Sequence, residues 1–384
     1  MKNNNINNEI PTVTKVVISG GGTGGHIFPA VSIANALRER YPGVDIFFVG
    51  AEGRMEMERV PKAGYPIFGL PVAGLDRKRP WRNFKVLWML YKSMRLARRF
   101  LRQYKPQIVI GVGGYASGPT LKTAQKMGIP TLIQEQNSYA GVTNKLLGKK
   151  AKMICTAYEE AARFFPEGKV VLTGNPVRAK LLEQPLDRRQ AKEALGFDHR
   201  KPLVLVVGGS LGALTINESM AAGLDRFADA GVQLLWQTGR SYGPKIAGVL
   251  EGKPGSIKAT EFIDDMGLAY QAADLVVARA GAGTISELQL LGKPTLLVPS
   301  PNVAEDHQRK NAQALVDHNA AVMVLDADAR DTLVDTTLSL VADKDRLDSM
   351  GQAIGAMALR DSAPRIVNAI EAIIKQNKSE KSNK

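Results

Sequence analysis

Short runs of β-branched and aliphatic residues alternate with amphipathic stretches through the first half of the chain. The predicted strands cover residues 15–19, 45–49, 108–111, 131–133, 152–156 and 169–172. The predicted helices lie around residues 29–40, 84–104, 118–127 and 141–148. Strands that alternate with helices in this way predict βαβ units and a parallel sheet.

The same pattern starts again after a break at 173–178, where Pro176 forces Asn175 towards extended backbone. The second set of predicted strands covers residues 203–207, 232–236, 274–278, 295–298 and 321–324. A chain of 384 residues is long for one domain, so two domains are expected. The predicted division is a polar extension (1–14), a first domain (15–176), a second domain (177–363) and a final segment (364–384). That segment contains a helix at 364–375 that could brace the first domain, and a disordered charged tail.

A glycine loop follows the first strand of each half, at Gly20–His26 and at Gly208–Ala213. A strand, a glycine turn and a helix N-terminus together direct unpaired backbone N–H groups at one point, which suits a phosphate. The sequence therefore predicts two nucleotide-type α/β domains that face a shared cleft. A third loop, Ala280–Thr284, precedes a helix that is predicted to open at Ile285.

The side chains beside these loops admit more than one interpretation. Gly20–Gly25 fit the dinucleotide-binding pattern, with Glu52 as the acid that a dehydrogenase needs, although glycines also serve a plain tight turn. His26 lies at the positive end of a helix, which favours a neutral, proton-accepting imidazole; the alternative is a histidine that only caps the turn. Glu287 either accepts both hydroxyls of a ribose or complements the helix dipole.

No metal site and no cofactor are predicted. Asp326 and Asp328 have the D-x-D spacing of metal-dependent sugar transferases, and Asp264 and Asp265 are adjacent, but neither pair has a nearby His or Cys. The four histidines lie at no metal-ligand spacing. The single cysteine excludes a disulfide framework, and no apolar run approaches the roughly 20 residues that span a bilayer.

The net charge of +14 calls for an anionic partner, which is nucleic acid, anionic lipid or a phosphorylated substrate. Eleven Lys and Arg against one acid lie between Leu75 and Pro106. Aromatic and apolar residues recur there at helical spacings, which predicts a membrane-binding face; the alternative is an amphipathic helix packed on its own domain. The residues predicted to form this membrane and acceptor surface are Leu75, Trp81, Arg82, Phe84, Leu87 and Trp88.

A series of motifs in a fixed order extends the loop pattern over nearly the whole chain. They are Gly20–His26, Gly113–Pro119, Glu135–Asn137, Gly174–Arg178, Gly208–Ala213, Glu261–Met266, Ala282–Glu287 and Asp306–Gln308. This series resembles the bacterial peptidoglycan N-acetylglucosaminyltransferases of the MurG family. The resemblance implies the GT-B architecture, an α/β fold of two Rossmann-like domains with parallel sheets that face an interdomain cleft.

The resemblance also implies a reaction and its partners. GlcNAc would pass with inversion from UDP-GlcNAc to the C4 hydroxyl of the MurNAc of lipid I, giving lipid II at the cytoplasmic face of the bacterial inner membrane. Other cell-wall synthesis or division proteins are further candidate partners. His26 is the first candidate for the catalytic base and Glu135 the second. The implied UDP-GlcNAc contacts are Thr23, Gly24, Gly25, Asn137, Arg178, Ser210, Ile263, Ala282, Gly283, Thr284, Ile285, Ser286, Glu287 and Gln308.

Two rival functions follow from the same features. A UDP-GlcNAc 2-epimerase would share the fold and the donor pocket, but it has no use for a basic, aromatic membrane surface at residues 75–106. A non-enzymatic RNA-binding protein would explain the charge, but the chain contains no RRM, KH or zinc-knuckle signature. No nucleic-acid partner is therefore expected.

Overall fold

The computed structural model describes residues 12–74, 83–177, 186–209 and 211–382. The chain divides between Pro176 and Val177, and residues from Asp361 onwards belong with the first unit. Each unit is built on one parallel sheet with helices on both faces, which confirms the predicted fold class.

The first unit contains a seven-stranded sheet in the order β3-β2-β1-β4-β5-β6-β7. Its strands are β1 (Lys15–Ser19), β2 (Asp45–Ala51), β3 (Ile67–Leu70), β4 (Ile108–Gly111), β5 (Thr131–Glu135), β6 (Met153–Thr156) and β7 (Val170–Leu172). Its helices are α1 (Gly24–Arg40), α2 (Glu56–Lys62), α3 (Asn83–Tyr104), α4 (Ser117–Lys126), α5 (Val142–Gly148) and the final α14 (Ser362–Ser382), with a 3₁₀ segment at Glu159–Phe164.

Alternate residues of the central strands pack into two different cores. Val16 and Ile18 of β1 pack with α1 and α14, whereas Val17 packs with α3 and α4 on the other face. The lone thiol, Cys155, lies in the first of these cores, and burial raises its pKa to about 12. This thiol therefore stays protonated and inert at neutral pH.

The second unit repeats the plan with six strands in the order β10-β9-β8-β11-β12-β13. The strands are β8 (Leu203–Val207), β9 (Gln233–Gln237), β10 (Ile257–Thr260), β11 (Leu275–Ala278), β12 (Thr295–Leu297) and β13 (Val322–Met323). The helices are α6 (Arg188–Ala194), α7 (Leu214–Asp229), α8 (Ile246–Leu250), α9 (Met266–Ala272), α10 (Ala282–Leu290), α11 (His307–Val316), α12 (Ala329–Ala342) and α13 (Lys344–Ala356), with 3₁₀ turns at Gly243–Lys245 and Ala304–Asp306.

Several details differ from the predictions. Strands β3 and β10 and helix α2 were not predicted; the two strands lie at sheet edges, and only one of the four residues in each is buried. Helix α1 begins at Gly24 rather than near residue 29, and α10 begins at Ala282 rather than Ile285. Glycines that form a turn also serve as the first helical residues in these loops, so composition alone misplaces both starts.

The predicted disorder of the tail from Lys375 is wrong for the described residues, because α14 continues to Ser382. Its apolar face packs against α1 through residues such as Ile366, Ile370 and Ile373. Lys152 binds Glu380 at 3.1 Å near the end of the helix. The helix docks through residues up to Ile374, and the polar residues from Lys375 onwards continue it as largely exposed final turns.

Candidate active site

The loops of interest all follow the carboxyl ends of strands, which is where open α/β sheets bind ligands. In the first unit, Gly20 follows β1, Gly113 follows β4 and Gln136 follows β5. In the second unit, Gly208 follows β8 and Gly281 lies between β11 and α10. The structure thus places these loops at the carboxyl edge of the sheet in each unit.

The first glycine loop packs backbone to backbone against the Gly113–Gly114 turn. Gly21 N–H donates to the Gly113 carbonyl at 3.2 Å. A Cβ at Gly114 would lie 2.2 Å from the Gly21 carbonyl oxygen, and Gly114 has φ +87°. Only glycine fits this approach and this backbone conformation.

The carboxylate of the buried residue Glu56 bonds to the backbone of the same loop. Glu56 is 1% exposed, and its Oε2 accepts the Gly22 N–H at 2.7 Å while Oε1 accepts the Ala51 N–H at 3.0 Å. The Gly22 N–H is therefore already bonded to an anion of the chain itself. The expectation that the whole first loop holds a phosphate is wrong at this position, and only the N-terminal turn of α1, from Thr23 to Gly25, keeps that geometry.

His26 is the third residue of α1 and is half-buried. Its Nδ1 lies 3.0 Å from Oε1 of Gln136, so a side-chain amide orients the ring. The ring lies directly over Gly113, where a Cβ would be 2.8 Å from the imidazole Cε1. This imidazole is held at the N-terminus of a helix at the carboxyl edge of the sheet, as a proton acceptor there requires.

The second candidate base, Glu135, has a different role in the structure. It is 2% exposed, and its Oε1 accepts two bonds from Asn137, from the backbone N–H at 3.1 Å and from Nδ2 at 3.2 Å. Its Oε2 accepts the Gly141 N–H at 3.1 Å and Nδ2 of Asn144 at 2.8 Å. Four donors around one buried carboxylate argue against the predicted role as a base, and Glu135 instead orders the loop that contains Asn137.

The second glycine loop is held by a neutral amide. Gln237 accepts the Gly209 N–H on Oε1 at 3.0 Å, and its Nε2 donates to the Gly209 carbonyl at 3.0 Å. A Cβ at Gly239 would lie 2.2 Å from the Gly212 nitrogen, so a second glycine turn supports this loop as Gly114 supports the first. These contacts come from a neutral side chain, so they add no charge beside the loop.

Helix α10 begins directly at the third loop, with Gly281 as its N-cap residue and no side-chain cap. The first-turn N–H groups of Ala282, Gly283 and Thr284 have no intrahelical acceptor by construction. Glu287 lies in the second turn rather than the first, so the alternative that it complements the helix dipole is wrong. The hydroxyl of buried Tyr270 donates to Glu287 Oε2 at 3.1 Å and orients that carboxylate.

Other residues implied as donor contacts have identifiable positions in the same unit. Ile285 and Ser286 are buried, so their side chains face the core of the unit. Ile263 follows β10 and is half-buried. Gln308 Oε1 accepts the Ser300 N–H at 2.9 Å, and the two residues before α11, Glu305 and Asp306, have the left-handed φ values +57° and +54°.

The two acidic pairs have structural partners. Asp326 binds Arg279 at 2.5 Å and accepts from Thr215 Oγ1 at 3.0 Å. Asp265 caps α9 by accepting the Leu268 N–H at 3.0 Å. Among the described residues, no three His, Cys, Asp or Glu side chains are grouped so that they could hold a metal ion.

Charged side chains also gather at the opposite, amino edge of the second sheet. Asp274 accepts from Lys192 Nζ at 2.6 Å and from the Leu203 N–H at 2.8 Å. Lys293 donates to the carbonyls of Gln271 and Ala273, both at 3.1 Å, and burial lowers its pKa to about 8. These groups tie α6 and α9 to the sheet, at the edge away from the glycine loops.

Helix α3 exposes the start of the aromatic stripe that the sequence places there. Phe84 is 79% exposed and Trp88 is 62% exposed, and Leu87 and Tyr91 are exposed as well. The helix packs on its own unit through Ala97 and Leu101 further along. The alternative of a fully packed amphipathic helix is therefore wrong for its first two turns. Among the described residues, no helix combines the length and the hydropathy that crossing a bilayer requires.

Five of the predicted site residues lie outside the described residues. They are Arg178 and Ser210 of the implied donor site, and Leu75, Trp81 and Arg82 of the implied membrane surface. Three residues that build the site were not predicted to do so, namely Glu56, Gln136 and Gln237. Gln136 is part of the motif Glu135–Asn137, but nothing in its residue type marks it as a partner of His26.

Comparison with known proteins agrees with this geometry. The glycosyltransferase family 28 N-terminal domain matches residues 16–156, and the family 28 C-terminal domain matches residues 203–366. A structure of a UDP-N-acetylglucosamine 2-epimerase has a TM-score of 0.63 at 14% identity, covering 92% of this chain and 95% of its own, which shows the fold alone. The family matches and the fold thus show a glycosyltransferase of family 28 with the GT-B architecture.

More specific relatives narrow this class. The crystal structure of MurG from Acinetobacter baumannii is 28% identical with a TM-score of 0.75, covering 94% of this chain and 99% of its own. A UDP-N-acetylglucosamine--N-acetylmuramyl-(pentapeptide) pyrophosphoryl-undecaprenol N-acetylglucosamine transferase from Phocaeicola vulgatus is 56% identical over 358 residues, 93% of this chain and 95% of the relative. The chain belongs to the MurG family of N-acetylglucosaminyltransferases.

Proposed function

We propose that this protein transfers GlcNAc from UDP-GlcNAc to the MurNAc of lipid I, an undecaprenyl-diphosphate-linked MurNAc-pentapeptide, and so forms lipid II. The oriented imidazole of His26 carries this proposal, because a sugar hydroxyl needs a proton acceptor in order to attack. The names of the relatives supply the substrates, and the helix N-termini at the carboxyl edges of both sheets supply the chemistry for a diphosphate.

The proposed reaction is a single displacement. The C4 hydroxyl oxygen of MurNAc attacks the anomeric carbon of GlcNAc, the bond from that carbon to the β-phosphate oxygen breaks, and the hydroxyl proton passes to Nε2 of His26. Attack opposite the leaving group inverts the α-linked centre and gives a β-1,4 bond. Positive charge develops on the sugar in an oxocarbenium-like transition state, and negative charge develops on UDP.

The second unit is the proposed site for the donor. Backbone N–H groups of Gly283 and Thr284 would meet the diphosphate, and Glu287 would accept the two ribose hydroxyls. Ile263 would lie against the uracil, and Gln308 would contact the GlcNAc. In the first unit, Thr23–Gly25 and Asn137 are the proposed contacts to the transferred sugar and the phosphate. Arg178 and Ser210 belong to the same proposal, although they lie outside the described residues.

The first unit is also the proposed contact with the membrane that contains lipid I. Phe84, Leu87, Trp88 and Tyr91 expose apolar and aromatic surface on α3, and Lys92 lies 5.6 Å above the Trp88 ring. Aromatic rings next to cations suit the headgroup region of an anionic leaflet. We therefore propose a peripheral enzyme at the cytoplasmic face of the inner membrane. Other cell-wall synthesis or division proteins could meet it there.

The decisive assay incubates the protein with UDP-GlcNAc and a lipid I analogue and looks for the β-1,4 disaccharide by mass spectrometry and NMR. We expect turnover, with release of one UDP for each disaccharide. Activity should also survive exhaustive chelation of divalent ions, because backbone N–H groups stabilise the leaving diphosphate. Formation of UDP-ManNAc, or of ManNAc and UDP after hydrolysis, from UDP-GlcNAc without an acceptor would instead identify a 2-epimerase and overturn the proposal.

A further inference from the structure

We propose that Gln136 is a positioning residue that fixes the tautomer of His26, with the hydrogen on Nδ1 and the lone pair on Nε2. This inference rests on the proposed function in one respect only, namely that His26 accepts the proton of the acceptor hydroxyl. The tautomer itself follows from the direction of the hydrogen bonds around Gln136, which can be read from the structure.

The amide of Gln136 has only one orientation that its surroundings allow. The side chain is 2% exposed, and its Nε2 donates to the Val112 carbonyl at 2.8 Å and to the Gln134 carbonyl at 3.3 Å. Carbonyl oxygens only accept, so the NH₂ group must face them. The opposite orientation would place Oε1 against two backbone oxygens. Oε1 therefore faces His26.

Two neighbouring amides lock this orientation. The two hydrogens of Gln136 Nε2 are shared among three acceptors, the third being Oε1 of Gln134, whose own Nε2 donates to Oδ1 of Asn175 at 2.9 Å. Nδ2 of Asn175 then donates to the backbone carbonyl of Gln136 at 3.1 Å. The chain of buried amides ends on backbone carbonyls that cannot reverse, so flipping one amide would break several bonds at once.

The orientation of the Gln136 amide determines which nitrogen of the His26 imidazole carries the hydrogen. His26 Nδ1 lies 3.0 Å from an oxygen that has only lone pairs to offer, so Nδ1 must carry the hydrogen. In a neutral ring, Nε2 is then the basic nitrogen. The same Nδ1–H bond is kept after Nε2 gains a proton, because both ring nitrogens donate in the imidazolium. Gly113 lies against the ring face and leaves no space for a side chain.

The test measures the tautomer directly by ¹⁵N NMR of the full-length protein labelled with [¹⁵N]histidine, at a pH at which the ring is neutral. The His26 signals are identified by their absence in His26→Ala. Two variants separate the acceptor role of Gln136 from its packing. Gln136→Leu removes the acceptor, whereas Gln136→Glu in its protonated form keeps a carbonyl oxygen towards Nδ1 and donates its hydroxyl to one of the carbonyls that Gln136 Nε2 meets.

Gln125→Leu is the matched control, because that amide also spans two parts of the first unit. It donates to Thr131 Oγ1 at 3.1 Å and to the Leu147 carbonyl at 2.9 Å, and none of its bonds reaches His26. Gln125→Leu should lose about as much stability as the Gln136 variants and should keep the His26 spectrum of the unaltered protein. Comparable melting temperatures in the Gln125 and Gln136 variants would show that any change in tautomer is local.

We expect the Nδ1–H tautomer in the unaltered protein and in Gln136→Glu, and a shift towards Nε2–H in Gln136→Leu. The kcat of Gln136→Leu should fall roughly 10- to 10⁴-fold, the upper end being the effect of a wrong histidine tautomer in a serine protease. The double variant with His26→Ala should be no slower than His26→Ala alone.

An Nε2–H tautomer in the unaltered protein, or an unchanged tautomer in Gln136→Leu, would overturn the assignment. If His26→Ala keeps full activity while the expected tautomers are observed, His26 is not the catalytic base. The role of Gln136 in fixing the tautomer would still stand. The failure of the further inference and the failure of the proposed function are thus distinguishable.

Discussion

The two units use the same fold but hold their glycine loops with different chemistry. In the first unit a carboxylate, Glu56, accepts the Gly22 N–H; in the second a neutral amide, Gln237, accepts the Gly209 N–H. Both side chains are buried, and both loops rest on a second glycine turn, at Gly114 and at Gly239. The difference is therefore one of charge rather than of shape.

We propose that this difference in charge underlies a division of the reaction between the units. A carboxylate beneath a loop repels a diphosphate, whereas a neutral amide does not, and α10 of the second unit begins without a side-chain cap. The nucleotide is accordingly assigned to the second unit, through Glu287 and the N–H groups of Gly283 and Thr284. The first unit contains His26, the proposed proton acceptor, and the exposed face of α3.

The largest expected effect is that of His26→Ala on turnover. A general base acts in the transition state, so kcat should fall by about 10²–10⁴-fold while the Kd for UDP-GlcNAc stays nearly constant. Steady-state kinetics with a lipid I analogue, combined with calorimetric titration, measures both. His318→Ala is the control, because that exposed histidine lies at the end of α11. A higher KM with unchanged kcat would show that His26 only binds substrate.

A second large effect is expected at the membrane. Changing Phe84 and Trp88 together to serine removes two exposed aromatic side chains, which should weaken binding to vesicles containing anionic lipid by roughly 100-fold, or about 3 kcal/mol. Co-sedimentation at low and high salt measures this, and UDP affinity should not change. The control double variant, Val171→Ser with Leu325→Ser, removes exposed apolar surface elsewhere. Equal vesicle binding by both double variants would refute this surface.

Glu287→Ala tests the nucleotide side of the comparison. Loss of a charge-assisted acceptor for two hydroxyls should weaken UDP-GlcNAc binding about 10- to 100-fold, or roughly 1.5–3 kcal/mol. Tyr270→Phe should weaken it less, because it removes only the bond that orients the carboxylate. Calorimetry on the folded variants gives both values. Unchanged affinity for UDP-GlcNAc in Glu287→Ala would show that the ribose hydroxyls do not bind Glu287.

The smallest effect comes from giving the second loop the charge of the first. Gln237→Glu places a carboxylate beside Gly209 and should lower the affinity for UDP roughly tenfold, as expected for like charges near a protein surface. Gln233→Glu is closely matched, because Gln233 is a buried amide at the other end of β9 that bonds to the backbone of Asp198.

Both variants should lose comparable stability, but only Gln237→Glu should lose UDP affinity. In the first unit, Glu56→Gln should destabilise the fold and leave the affinity for UDP unchanged. Equal affinities for UDP in the Gln237 and Gln233 variants would argue against a role for loop charge.

The inner strands and the glycine loops could be predicted from the sequence because their signals are local. Val16–Ile18 and Leu203–Val207 are continuous β-branched and aliphatic runs that end in glycine, which is typical of buried parallel strands. The edge strands β3 and β10 have no such run, since one of their faces is partly solvated. The edge strands β7 and β13 contain short valine-containing runs and were predicted, so an edge strand is recognised only where such a run is present.

The contacts that define the site could not be predicted, because they join residues far apart in the chain. Gln136 reaches His26 across 110 positions, and Glu56 reaches Gly22 across 34 positions. An acid at Glu135 is equally consistent with a base and with a loop anchor, and only its four donors decide between them. Residue types suggest the chemistry, but the register of the two sheets determines which side chains meet.

The central claim is that the second unit binds the nucleotide. Titration of the ¹⁵N-labelled protein with UDP alone, followed through its backbone amide resonances, tests it most directly. We predict the largest shifts at Gly209, Ile263, Gly283 and Thr284, with little change at Gly22, whose N–H is bonded to Glu56. Larger shifts at Gly20–Gly25 than at Ala282–Glu287 would contradict the account.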